Sequence, residues 1–160
     1  MLALYLEKQK THFILIAVYL IIALFLLLMV FNPVFFGKSD LSLNIKAILV
    51  VLALFDLWLY WSFSKLTIKI TELDLEIGFG VFKKKFSFKQ IKNCLLEEYQ
   101  KSRYLGYGIR FGTDKSLGYV AKPGRGVRIK MLPKDYFFST DQPEQVSLII
   151  NEKLAKQNYE

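Results

Sequence analysis

From Phe13 to Phe31, FILIAVYLIIALFLLLMVF runs for 19 residues without a charge. At 1.5 Å rise per residue, about 20 apolar residues cross the hydrocarbon core of a bilayer. A secretory signal has a shorter apolar core, roughly 7–15 residues, and a small-residue cleavage site after it. Neither description fits here, so the run reads as a spanning helix. Asn32-Pro33 ends it, with Phe35 and Phe36 still apolar.

A second run, AILVVLALFDLWLYWSF from Ala47 to Phe63, has a single charge, Asp56. Trp58, Tyr60 and Trp61 gather at its C-terminal end, where amphipathic aromatic rings favour the membrane interface. A buried soluble helix would not explain a neighbour as apolar as the first run. The expected architecture is therefore a hairpin over residues 13–63, with spans near 13–36 and 45–63, after a cytoplasmic N-terminus of residues 1–12. Lys8, Lys10, Lys65 and Lys69 flank the outer ends of the hairpin, while only Lys38 and Lys46 lie in its loop. The positive-inside rule then places both termini in the cytoplasm of a multi-pass plasma-membrane protein. Asp56 lies two residues before Trp58 and has no second ionisable residue near it in either span, so it reads as structural rather than as part of an ion relay.

After Ser64 the period changes from helical to alternating. Leu66-Thr67-Ile68-Lys69-Ile70-Thr71 is a half-buried strand. Leu73, Leu75, Ile77, Phe79 and Val81 share one face of the next. Lys83-Lys84-Lys85 reads as a charged turn, Phe86 and Phe88 resume the alternation, and residues 91–99 form a further strand. The polar stretch Gln100–Arg103 separates a second group: Tyr107, Ile109 and Phe111, then Leu117, Tyr119 and Ala121, then Val127, Ile129 and Met131. Its turns are Thr113-Asp114-Lys115, Lys122-Pro123-Gly124-Arg125-Gly126 and Pro133-Lys134-Asp135, and the last leads into Tyr136-Phe137-Phe138.

The chain closes on one helix. Asp141 and Glu144 have capping-box spacing, Pro143 suits a first turn, and Val146, Ile149, Ile150 and Leu154 fall on one face. Lys153 and Lys156 suit its C-terminal dipole. Residues 64–160 thus read as an α+β domain of about seven short antiparallel strands in a sandwich or barrel, with one terminal helix covering its open end.

Strands followed by a single helix resemble the pleckstrin-homology (PH) fold. YGIRFG at 107–112, GVRIKM at 126–131 and YFFSTDQPEQV at 136–146 are similar to the bacterial PH-domain family, whose membrane-anchored members carry a two-helix hairpin directly before the domain. The resemblance spans about residues 10–157 and implies a membrane-anchored PH-like module without catalytic activity. Phosphoinositide-binding PH domains carry basic residues around their first turn. Here that turn is Thr71-Glu72-Leu73-Asp74, which points away from phosphoinositide recognition.

The residues offer no catalytic or cofactor constellation. His12 has no acid or nucleophile beside it in sequence, and Cys94 lacks a partner for a disulfide or metal site. Gly78-Phe79-Gly80, Gly106-Tyr107-Gly108 and Gly124-Arg125-Gly126 do not complete a phosphate-binding motif. Glu97 and Glu98, adjacent on a strand, point to opposite faces. No enzyme, cofactor or metal is expected.

The net charge is +8, and residues 64–160 carry 18 of the 22 Lys and Arg but only 11 of the 14 Asp and Glu. Beside a membrane segment, that balance suggests anionic headgroups before nucleic acid. The aromatics alternate into the core rather than standing among the cations, so no stacking platform for nucleic acid is expected. Lys83, Lys84 and Lys85 form one cluster of candidate contacts to lipid or partner. Lys122, Arg125, Arg128 and Lys130 form another, with Arg110 on a polar strand face.

The expected function is a non-catalytic adaptor or scaffold at the cytoplasmic membrane surface that binds a protein partner or a second copy of itself. Docking on anionic lipid through the basic clusters is the alternative. A small oligomeric channel or transporter subunit is a weaker third.

Overall fold

A computed structural model describes residues 3–37 and 40–157. Lys38, one of the two loop lysines, lies outside them. The chain divides into two compact units: Phe13–Ser62, and the residues up to His12 together with those from Phe63 onward.

The first unit holds helix α1, Phe13–Phe31, a 3-10 turn at Pro33–Phe36, and most of helix α2, Leu43–Phe63. Both helices are long and apolar enough to cross a membrane, with mean hydropathies of 3.3 and 1.9. Asn32 and Pro33 end α1 as expected, because proline supplies no N–H to continue it. Ala23 is buried in α1, and Ala53, Asp56 and Ser62 in α2. The other side chains of these helices keep large apolar areas exposed.

The second unit is an α+β sandwich, and it begins before the helices. Residues 5–10, read from the sequence only as a stretch preceding the membrane segment, form strand β1, Tyr5–Lys10. It pairs antiparallel with β2, Lys65–Ile70, rung for rung from Tyr5 opposite Ile70 to Lys10 opposite Lys65. Strands β3, Asp74–Phe79, and β4, Phe82–Ser87, complete a four-stranded antiparallel sheet in the order β1-β2-β3-β4. The lysine triplet is therefore strand, not turn: Gly80 and Val81 turn the chain, and Lys83, Lys84 and Lys85 stand opposite Gly78, Ile77 and Glu76.

The second sheet has five strands: β5, Ile91–Glu98; β6, Gly108–Phe111; β7, Leu117–Val120; β8, Arg125–Met131; and β9, Tyr136–Ser139. Its order is β5-β8-β9-β7-β6, and β7 and β9 run parallel. The described residues thus form nine strands in two separate sheets, one of them mixed; eight follow Ser64, where about seven antiparallel strands were expected, and neither sheet closes into a barrel. A short helix α3, Lys101–Tyr104, lies between β5 and β6, and helix α4, Pro143–Gln157, ends the described chain.

The main core lies between the sheets. Leu66, Ile68, Ile70, Leu75, Ile77, Phe79 and Phe86 from one meet Val127, Ile129, Tyr136 and Phe138 from the other, with Val146 and Ile150 of α4 at its edge. Fully burying an aliphatic or aromatic side chain of this size contributes about 1.5–3 kcal/mol, so these side chains hold the sandwich together. A second cluster, Tyr104, Val120 and Phe137, covers the opposite face of the five-stranded sheet. This explains why Tyr136-Phe137-Phe138 does not alternate: β9 is the central strand, buried on both faces. It also explains Gly118. A Cβ there would stand 2.7 Å from the Tyr104 ring.

The helix start differs from the expected capping box. Asp141 Oδ1 accepts from Gln9 Nε2 at 2.9 Å and pairs with Lys122, and Glu144 pairs with Arg125. Both carboxylates serve tertiary contacts. Gln9 also accepts from Ser139 Oγ at 2.7 Å, and Glu7 accepts from Thr140 Oγ1 at 2.5 Å and from the Asp141 N–H at 2.7 Å. Strand β1 is thereby latched to the segment that leads into α4.

Candidate functional site

The basic residues singled out from the sequence fall on different sheets and meet different fates. On β4, alternation sends Lys83 and Lys85 to the outer face. Lys83 pairs with Glu76 at 3.3 Å and Lys85 with Asp74 at 2.8 Å. Lys84 points the other way and donates to Tyr136 Oη at 2.5 Å, lying over the Tyr136 and Phe86 rings. Lys122 and Arg125 are held by Asp141 and Glu144. Arg110 is exposed, and its Nε donates to the Tyr107 carbonyl at 2.7 Å. Lys130 is exposed and makes no ion pair among the described residues.

Arg128 departs furthest from the expectation of a headgroup contact. Its side chain is only 13% exposed and is enclosed by three carboxylates. Nη2 lies 2.8 Å from Asp114, Nε 3.1 Å from Asp135 and Nη1 3.4 Å from Glu97. Arg103 joins from α3, pairing with Glu97 and reaching Asp114 at 3.4 Å. Burial alone would raise the Asp114 carboxyl. Hydrogen bonds from Ser116 and Arg128 outweigh it and hold the group well below the usual carboxylate range. Burial would likewise lower Arg128, and its hydrogen bonds to Asp114 and Asp135 with the Glu97 charge push it up instead. This is a clasp that fixes α3 on the sheet. Periodicity could not reveal it, because its members come from α3, β5, β8 and two turns.

What the structure does assemble is a groove of about 420 Å³ beside β4. Its cations are Lys84, Lys85 and Lys92, its other polar group is Gln90, and Phe86, Met131, Leu132, Pro133 and Tyr136 supply apolar surface. No carboxylate lines it, and Leu132 is 72% exposed. Lys92, Gln90 and Leu132 were not singled out from the sequence. Gln90 and Lys92 flank Ile91, which pairs with Met131 beside Leu132, so the β5–β8 ladder joins these two segments and the other sheet adds β4.

The remaining candidates are quiet. Cys94 is buried, its thiol 3.7 Å from Ser147 Oγ, and burial pushes the thiol up to about 11. His12 stacks on Tyr107 with ring centroids 4.5 Å apart. Glu97 faces the clasp while Glu98 is exposed. In α2, Trp58 and Trp61 expose their rings, Tyr60 is half-buried, and the buried Oδ2 of Asp56 has no hydrogen-bond partner among the described residues. Comparison of the chain with protein-family models, with curated proteins and with solved structures finds no match.

Proposed function

We propose that the protein is a non-catalytic, membrane-anchored, PH-like adaptor whose sandwich binds a protein partner at the cytoplasmic surface of the plasma membrane. The observation that carries this reading is the pairing of β1 with β2. One strand precedes α1, the other follows α2, and they are zipped together over six rungs. With α1 and α2 read as membrane-spanning, this pairing favours both outer ends of the helices lying on the same side of the membrane. The lysines flanking those ends favour the cytoplasmic side. The PH-like assignment draws on the facing sheets and the terminal helix, and the parallel β7–β9 pair is its departure from a simple antiparallel order.

A domain already tethered to the bilayer does not depend on lipid binding for recruitment, which favours a protein ligand. The β4 groove suits an extended segment with carboxylates for Lys84 and Lys92 and an apolar side chain against Met131 and Leu132. β4 is an edge strand, and lysines on an edge also discourage unselective strand pairing. The test is a photo-crosslinking residue at position 132 of the full chain in its native membrane. A discrete protein adduct that disappears in a Lys84→Glu/Lys92→Glu variant supports the reading. An adduct indifferent to that charge reversal, or none above the level given by a crosslinker at Lys115, sinks it.

A further inference from the structure

The register brings together lysines that are far apart in the sequence. Lys10 stands directly opposite Lys65 on the first rung of the β1–β2 ladder, and Lys8 follows two residues along the same face. All three are exposed, and none makes an ion pair among the described residues. Like charges directly opposite on neighbouring strands destabilise a sheet. An end of the sheet that stacks cations in this way gains by having anions close to it.

The same end carries apolar side chains pointing outward. The ladder places Gln9, Leu66, Phe79 and Phe82 in one row, so the β3–β4 turn comes back beside Lys65. Val81 at its tip is 61% exposed. Phe82 stacks on Phe63, the last residue of α2, with centroids 5.3 Å apart. On the other sheet, the N–H of His12, the last residue before α1, donates to the Ala121 carbonyl at 2.6 Å, and the His12 ring stacks on Tyr107. Just before Tyr107 is Leu105, 76% exposed, with Arg110 held against the Tyr107 carbonyl. The acids of this end are mostly engaged: Asp141 with Lys122 and Gln9, and Glu144 with Arg125, while Glu98 lies opposite Arg125 in the register.

Chain length fixes where this end can be. Lys10 lies three residues before the start of α1 and Lys65 two after the end of α2. At a maximum of roughly 3.5 Å per residue, neither is more than about 10 Å along the chain from an apolar helix. That distance is comparable to the Debye length of about 8 Å at physiological salt.

We propose that this end is a lipid-docking surface. Val81 and Leu105 insert at headgroup depth, and Lys8, Lys10, Lys65 and Arg110 contact anionic phospholipid of the bilayer that α1 and α2 cross. The inference rests on the reading of those helices as membrane-spanning. It sets the orientation of the sandwich and leaves the β4 groove, built from later rungs of the ladder, available to a partner. None of these residues except Arg110 belongs to the basic clusters legible in the sequence.

The experiment uses the full chain with Cys94→Ser and a single spin-labelled cysteine at Val81, Leu105, Leu73 or Leu24. The protein is reconstituted into phosphatidylcholine bilayers with and without phosphatidylglycerol, and label depth is read from oxygen and nickel-chelate accessibility. The expected result is Leu24 deep in hydrocarbon, Val81 and Leu105 at headgroup depth when phosphatidylglycerol is present, and Leu73, on the opposite turn, in water. High salt, or a Lys8→Gln/Lys10→Gln/Lys65→Gln variant, should shift Val81 and Leu105 toward the water value without moving Leu24. Salt acts on the unaltered lysines and so keeps the test valid if the variant folds poorly. Val81 and Leu105 as water-exposed as Leu73, with Leu24 in hydrocarbon, would overturn the docking surface alone. A water-accessible Leu24 would overturn it together with the spanning helices.

Discussion

Arg128 and the Lys10–Lys65 pair carry the same sign of charge and sit on strands of one sandwich, yet their surroundings are opposite. Arg128 is enclosed by Glu97, Asp114 and Asp135, with Arg103 alongside. Lys10 and Lys65 face each other with no acid partner among the described residues. The contrast shows that a cation's role is set by what the fold places within about 4 Å of it, because charges held that close and out of water interact far more strongly than exposed ones. A basic residue locked in a clasp is structural. A basic residue repelled by its own neighbour is available to an external anion.

The largest expected effect comes from breaking the clasp. Arg128→Ala leaves three carboxylates around an uncompensated gap and should destabilise the sandwich by about 3 kcal/mol, read from urea unfolding of the full chain in detergent. A loss below that of a surface substitution would remove Arg128 from the structural class. The N-terminal latch comes next. Gln9→Ala deletes hydrogen bonds to Asp141 and Ser139 and should cost about 1–2 kcal/mol, with faster amide exchange in Tyr5–Lys10 and in the mating strand Lys65–Ile70. Unchanged exchange there would detach β1 from the cooperative unit.

Acidification sharpens the same comparison. Asp114 has its carboxyl depressed in the folded state, so its contribution is fully present above the unfolded value of about 4 and is lost as pH falls through the lower folded value. Stability of the unaltered chain should therefore decline on the acid side, and in Arg128→Ala that decline should flatten. Parallel acid limbs would show that the clasp does not set the slope. The smallest effect carries the opposite sign. Lys65→Glu turns a repulsive cross-strand pair into an attractive one and should stabilise the sandwich by about 0.5 kcal/mol, while the Val81 label moves away from anionic bilayers. Destabilisation would mean that the two lysines do not repel in the folded protein.

Much of the architecture was legible. An uninterrupted apolar run has few destinations, so Phe13–Phe31 and the run ending at Phe63 could be read as helices with good bounds. The strict alternation of Leu66–Ile70 and Val127–Met131 identified strands with one face inward, and Val146, Ile150 and Leu154 marked the inner face of the terminal helix. Legibility failed where local pattern and tertiary role diverge. Lys83-Lys84-Lys85 reads as a turn because nothing in it is apolar, yet hydrogen bonding to β3 makes it an edge strand whose side chains face water or the groove. Tyr5–Lys10 has no apolar face, since its inward positions include Glu7 and Gln9, which are satisfied by Thr140, Ser139 and Asp141. Gln100–Arg103 reads as a polar separator, yet Lys101–Tyr104 is a helical turn that packs Tyr104 on Gly118 and Phe137. Of the groove, only the lysines of β4 were named in advance as candidate contacts, because its other walls come from distant segments.

By itself, then, the sequence determined the apolar hairpin, the β-rich character of the chain after Ser64, the closing helix and the surplus of positive charge. Each is a property of neighbouring residues, set by hydrophobic period, proline, glycine and sign of charge. The tertiary structure alone decided that the sandwich begins before the hairpin, that β7 and β9 run parallel, and which cations are bound by acids and which are left facing one another. Those outcomes depend on strand register and on pairs such as Gln9 with Asp141, which are 132 residues apart. A local pattern holds no record of such a pairing, because the free energy that selects it arises only when the two sheets close on a common core.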